Sequence, residues 1–169
     1  VEEVLTREEA RVRDFLLRTS ILDRLSGPLC DAVTGNTDSQ SMLEHLDRTN
    51  LFLVPLDATR RWYRYHHLLR EFLSGELMRR EPEQVPALHA RAATWFEAHG
   101  QRERALDHAR AAGDIERAAH LISDISQPTW ASGRAETVMG WYQWLEHEDH
   151  LPDHPDLAVH GSLLYALLG

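Results

Sequence analysis

Leu51-Phe-Leu-Val-Pro-Leu-Asp-Ala-Thr-Arg-Arg-Trp-Tyr-Arg-Tyr-His-His-Leu-Leu-Arg-Glu-Phe-Leu73 changes periodicity twice within 23 residues. Phe52, Val54 and Leu56 alternate with other residues at period two, the pattern of a half-buried strand. Asp57-Ala58-Thr59 is turn-like, with an aspartate at its opening. Arg61 to Tyr65 then reads as a returning strand, with Trp62 set against Arg61 and Tyr63. Leu68, Leu69, Phe72 and Leu73 recur at helical spacing. A two-stranded hairpin is not stable alone in water, so it needs helices to lie against. Apolar helical segments flank it on both sides. Helices followed by a hairpin predict a winged-helix module with the hairpin as its wing.

Outward from that stretch, residues 8–25 read as mostly helical. Val12, Phe15, Leu16, Ile21, Leu22 and Leu25 supply the apolar face, and Thr6 with Glu9 resembles a capping box. Thr19-Ser20 caps the next turn or interrupts the helix. Ser26-Gly27-Pro28 is a break, with Pro28 suited to the first turn of a helix that ends near Gly35. Ser39 or Ser41 caps a third helix carrying Met42, Leu43 and Leu46. The helix after the wing runs to about Arg80, and Glu81-Pro82-Glu83 breaks it. A domain boundary is placed there, giving a winged helix over 1–80 and a helical region over 81–169.

The second region reads as helices only. Helices are expected over 85–99, 102–112, 115–125, 134–145 and 157–168. They are punctuated by Gly100, by Gly113 with Asp114 as an N-cap, by Pro128, and by the charged, Pro-marked stretch 146–155. The rhythm of helix, Gly, helix, Gly-Asp, helix, with alanines at the contacts, is that of an α-solenoid such as a tetratricopeptide array. Trp95 to Ala109, WFEAHGQRERALDHA, carries part of that repeat. The expected fold class is therefore mainly α, a winged helix followed by a tetratricopeptide-like array.

Composition narrows the function. The chain has 169 residues, 43% of them hydrophobic, and a formal net charge of −9. That charge argues against direct nucleic-acid binding, which needs clustered positive charge. Arg60, Arg61 and Arg64 on the wing read as a solvated face or an intramolecular contact rather than a DNA grip. Every basic residue is Arg, so a phosphate-cradling GxxxxGK[ST] loop cannot occur within this chain. No window of about 18 apolar residues predicts a membrane span. The single cysteine, Cys30, permits no internal disulfide and fits a reducing, cytoplasmic setting as a small packing residue.

Eleven histidines raise the question of a metal. His147, His150 and His154 are the densest set, but Pro152 interrupts their register and no HExxH or Cys partner accompanies them. No metal site is assigned. Ser162 lacks the GxSxG context of a nucleophile, and the paired carboxylates lie on expected surfaces, so no catalytic residue is assigned either.

Taken in order, residues 15–35 (FLLRTSILDRLSGPLCDAVTG), 51–57 (LFLVPLD), 62–73 (WYRYHHLLREFL), 87–122 (ALHARAATWFEAHGQRERALDHARAAGDIERAAHLI) and 151–159 (LPDHPDLAV) resemble the middle of the MalT-like large ATP-binding LuxR-type transcriptional regulators. These are members of the signal-transducing P-loop ATPases. The resemblance covers nearly the whole chain. It implies a parent with an ATPase core, a winged helix, a helical sensor and a C-terminal DNA-binding helix-turn-helix. This chain would hold the winged helix and the start of the sensor, and would not itself be an enzyme. ATP or ADP with Mg would belong to the parent. The partners implied are the parent's own ATPase core and sensor, with self-oligomerisation in the ATP form.

One site residue follows from the resemblance. Related ATPases carry a Met-His-Asp signature at the end of the winged helix, whose His contacts the β-phosphate of bound ADP. His66 falls on that His, with Tyr65 in place of Met and His67 in place of Asp. An imidazole N–H where a strand meets a helix N-terminus suits a phosphate. Two other readings stay open. A free-standing helical adaptor would bind a partner helix or peptide without nucleotide dependence. A small DNA-binding winged helix would show salt-dependent duplex binding.

Overall fold

The computed structural model describes residues 2–49 and 53–147, with side chains from residue 9 onward. The fold is mainly α. Helices α1 (Glu2–Thr19), α2 (Gly27–Thr34) and α3 (Ser39–Arg48) precede strands β1 (Leu53–Pro55) and β2 (Tyr63–Tyr65). Helices α4 (His67–Arg80), α5 (Val85–Ala98), α6 (Arg102–Ala112), α7 (Ile115–Ala131) and α8 (Ala135–His147) follow, with a short 3-10 turn at Pro82–Gln84. The chain divides into two compact units between Trp95 and Phe96.

In the first unit α1 packs on α2 and α4, and α2 on α3. Phe15, Leu22, Leu25, Leu29, Val33, Leu43, Leu46 and Leu77 are among its buried apolar residues. The wing is antiparallel, with Leu53 opposite Tyr65, Val54 opposite Arg64 and Pro55 opposite Tyr63. So short a ladder needs further support, and Leu25 supplies it. Its amide donates to the Tyr63 carbonyl at 2.8 Å, and the Tyr63 amide donates back at 2.9 Å. The Asp57 carboxylate organises the wing tip, accepting from the Arg61 and Trp62 amides at 3.0 Å and from the Thr59 hydroxyl at 2.9 Å. These bonds, the Arg61 amide foremost, hold its pKa below the usual carboxylate value. Beneath the wing the Thr19 hydroxyl lies 2.6 Å from the Phe15 carbonyl and 2.7 Å from the Tyr65 hydroxyl.

Several sequence expectations are corrected here. The wing faces the opposite way: Leu53, Tyr63 and Tyr65 are buried, Trp62 and Val54 are half-buried, and Leu56 is 43% exposed. Phe52 lies outside the described residues. The inward phase is set by the Leu25–Tyr63 bridge, which fixes Tyr63 toward the helices. The first helix ends at Thr19 rather than running to Leu25, and Thr6 is interior to it rather than a cap. Helix α3 begins at Ser39 with Asp38 at the N-cap position, so neither Ser39 nor Ser41 caps it. The Ser39 amide is satisfied by the Asp31 carboxylate of α2 at 3.0 Å, a tertiary bond invisible to local capping rules.

Gly35 adopts φ +81° and closes α2, its amide bonded to the Asp31 carbonyl at 2.8 Å. Cys30 of α2 is buried, and desolvation pushes its thiol well above the ordinary pKa. It should therefore stay unlabelled by a thiol-specific reagent in the native protein. Labelling should appear with urea at the unfolding transition; rapid labelling in buffer would contradict this burial.

In the second unit α6 packs on α7 and α7 on α8, consecutive neighbours as a helical array requires. Ala105, Ala109, Ala118 and Ala119 are buried at these contacts, beside Leu106, Leu121, Ile122, Val138, Tyr142 and Leu145. Gly113 (φ +71°) ends α6, and the Asp114 carboxylate caps α7 by accepting from the Arg117 amide at 3.2 Å. One expectation fails: Pro128 lies inside α7 instead of ending it. Proline removes one helical hydrogen bond. Here Pro128 is exposed while Ile125, Ser126 and Thr129 around it are buried, so packing carries the helix past it. The expected helix over 157–168 lies outside the described residues.

Candidate functional site

His66 is the residue that joins β2 to α4. The strand ends at Tyr65, whose ring is buried, and the helix starts at His67. The alternation that turns Tyr63 and Tyr65 inward leaves Arg64 exposed and delivers His66 to the surface at the N-cap. Its backbone is extended (φ −57°, ψ 138°), and its carbonyl accepts from the Arg70 amide at 3.0 Å. Its imidazole makes no capping bond, so the first-turn amides of α4 lack a side-chain acceptor from it. The ring lies 4.5 Å from that of His67, tilted by 36°.

The two imidazoles open onto a cleft of about 390 Å³, lined also by Arg64, Arg70, Asp23 and Glu71. The chain after α1 brings Asp23, β1 brings Val54, β2 brings Arg64 and Tyr65, His66 is the junction, and α4 brings His67, Arg70 and Glu71. Arg70 is ion-paired with Asp23. The Ser74 hydroxyl donates to the Ser20 carbonyl at 3.2 Å and ties α4 to the end of α1. A helix N-terminus, two imidazoles and two guanidiniums at one cleft suit an anionic oxygen group.

Beside the cleft the apolar residues of α4 do not behave as their spacing suggests. Leu73 and Leu77 are buried, but Leu68 is 62% and Phe72 63% exposed. They are four residues apart and so share a face one turn long. The periodicity of the sequence describes two faces of α4, and among the described residues only the Leu73–Leu77 face is buried.

The other residues singled out from sequence lie apart from this cleft. Arg60 pairs with Asp47 at 3.1 Å, and Arg61 is exposed. His147 ends α8 on the surface, whereas His150, His154 and Ser162 lie outside the described residues. Among the described residues no group of three metal-ligating side chains converges. No helix among them is long and apolar enough to cross a membrane. The second unit has a hollow of about 500 Å³ between the start of α6 and the end of α7. Glu103 and Arg134 close one side of it by a two-pronged ion pair at 2.6 and 2.8 Å. Arg64, Arg70 and Asp23 were not singled out as one site from sequence. Asp23 is 47 residues from Arg70 and carries no local signal.

Comparison with known proteins adds to this picture. The sequence profile of the MalT winged helix domain matches residues 1–85. Over 159 residues, 94% of this chain, the sequence is 31% identical to the HTH-type transcriptional regulator MalT of Vibrio campbellii. It is 38% identical over 125 residues, 74% of the chain, to MalT of Klebsiella pneumoniae. It is also 39% identical over 121 residues, 72% of the chain, to the serine/threonine-protein kinase PknK of Mycobacterium tuberculosis. These matches span 18%, 13% and 11% of those relatives, so the chain corresponds to a minor part of each.

Proposed function

The chain belongs to the family of MalT winged helix domains, and from that premise we propose that it is the regulatory segment of an ATP-dependent transcriptional regulator, coupling the nucleotide state of an ATPase core to a helical sensor. The matched domain is a winged helix rather than a catalytic domain, so its work is to bind and transmit. Its relatives include a kinase by name as well as transcription regulators. A segment shared by proteins with different outputs suits a coupling role.

The observation that carries this reading is the half-built cleft at the start of α4. His66 presents an imidazole with no capping bond at a helix N-terminus, and Leu68 and Phe72 stand exposed next to it. A phosphate there needs a nucleotide held from the other side, and an exposed apolar pair needs a covering surface. An ATPase core with ADP supplies both. The His66 N–H donates to a phosphate oxygen, and the winged helix closes over the nucleotide. Inducer binding to the helical sensor biases the same closed state, which makes the two sites allosterically coupled. ATP with Mg and self-association belong to the parent's active form, in the cytoplasm. The winged helix is assigned to 1–80 and the sensor to 81–169, with the break at the Pro82–Gln84 turn.

The test is ADP affinity of the full-length parent with and without His66→Ala. Loss of one charge-assisted or neutral hydrogen bond to phosphate is expected to weaken ADP by about tenfold and to raise the resting activity. Unchanged ADP affinity would remove His66 from the nucleotide site.

A further inference from the structure

We propose that Arg64 is a second phosphate-binding side chain of the His66 cleft, and that the Asp23–Arg70 ion pair is a latch that controls whether a further guanidinium joins it. This rests on the nucleotide reading above and names the groups that would set its strength.

Arg64 is the middle residue of β2 and the outward one, since Tyr63 and Tyr65 on either side are buried. It lines the same cleft as His66 and His67. Its guanidinium makes no hydrogen bond or ion pair among the described residues, in contrast to Arg60, which is held by Asp47. The strand ladder fixes its position through the Val54–Arg64 pair. A guanidinium without a partner among the described residues, on a paired strand two residues before an imidazole that makes no capping bond, presents a planar fork of donors beside a helix N-terminus. That fork matches two oxygens of one phosphate.

Arg70 lines the cleft too, but Asp23 already holds it. Asp23 comes from the turn after α1 and is the more exposed partner of the pair. A phosphate entering the cleft competes with that carboxylate for Arg70 and is repelled by it. Glu71 also lines the cleft, and no bond holds it to Arg70 or Arg64 among the described residues. It therefore reports simple charge repulsion, whereas Asp23 reports repulsion and the release of Arg70 together. The ligand class is a diphosphate end, whether of a nucleotide or of inorganic pyrophosphate.

The experiment measures ADP and inorganic pyrophosphate binding to the full-length parent by calorimetry, with thermal midpoints confirming folding. Arg64→Ala is expected to weaken both ligands by about tenfold, and Arg64→Lys by less, because charge is retained while the fork is lost. Asp23→Asn is expected to tighten both about three- to tenfold, and Glu71→Gln to tighten them less. If Arg64→Ala leaves affinity unchanged while His66→Ala weakens it, the inference fails and the His66 reading stands. If neither variant matters, both fail. If Asp23→Asn and Glu71→Gln act equally, the effect is charge alone and there is no latch.

Discussion

Replacing Tyr63 with alanine is expected to lower the stability of the winged-helix unit by about 3–5 kcal/mol, whereas Tyr63→Phe is expected to cost nothing or to stabilise. Tyr63 is fully buried; it lies opposite Pro55 across the wing, and its amide and carbonyl both bond to Leu25 beneath it. Its ring is what the hairpin buries. Removing the ring leaves a cavity at the seam where wing and helices meet, and the two-stranded ladder cannot close it alone. The hydroxyl is different. It is buried without a hydrogen-bond partner, and burial, with Asp47 and Glu44 nearby, raises its pKa. A buried, unpaired hydroxyl is a cost, so deleting it removes a penalty. Urea unfolding of Tyr63→Ala and Tyr63→Phe beside wild type separates ring from hydroxyl. A loss above about 1 kcal/mol in Tyr63→Phe would show that the hydroxyl has a partner after all.

The second large effect is one of sign. Glycine inside a helix normally destabilises, so replacing it with alanine gains up to about 1 kcal/mol. Gly75 of α4 follows that rule: a Cβ there meets nothing within 4 Å. Gly27 reverses it. A Cβ on Gly27 would lie 2.7 Å from Cβ of Gln40 and 3.1 Å from its Cα, in the backbone of α3. No rotamer change relieves a backbone contact, so α2 and α3 must separate. Gly27→Ala should therefore cost about 1–3 kcal/mol, while Gly75→Ala stabilises by about 0.5–1 kcal/mol. Opposite shifts of the two thermal midpoints are the expected result. A stabilised Gly27→Ala would contradict the close apposition of α2 and α3.

How much of this the sequence disclosed depends on whether the determining contact was local. Gly35, Gly100 and Gly113 ended their helices as expected because a left-handed residue is a one-residue requirement. Asp114 capped α7 because its acceptor and the Arg117 amide lie within one turn. The order of helices around the wing, and the helical array beyond it, were legible from periodicity. The face of the wing was not. Phe52-Val54-Leu56 and Leu53-Tyr63-Tyr65 are both apolar alternations, and the choice between them is made by Leu25, 38 residues before Tyr63. The start of α3 escaped for the same reason, since Asp31 of α2 supplies its acceptor.

The position of His66 was readable, because a strand ending at Tyr65 and a helix beginning at His67 leave only one residue between. The cleft around it was not, since Asp23 and Arg64 reach it by tertiary placement. Leu68 and Phe72 show the limit in the other direction. Helical spacing marked them as apolar face, and an apolar face is what they are, but spacing does not say which molecule covers it.

The hydroxyls beneath the wing carry an orientation. Thr19 has a single hydroxyl hydrogen, and the Phe15 carbonyl takes it at 2.6 Å. Its contact with Tyr65 at 2.7 Å can then run only one way, with the phenol donating. The relay is thus polarised from wing to helix, Tyr65 to Thr19 to the Phe15 carbonyl. The Tyr65 hydroxyl proton, buried at the head of this relay, is expected to exchange with solvent when the wing lifts. Its exchange rate is a clock for wing opening that needs no label and no ligand.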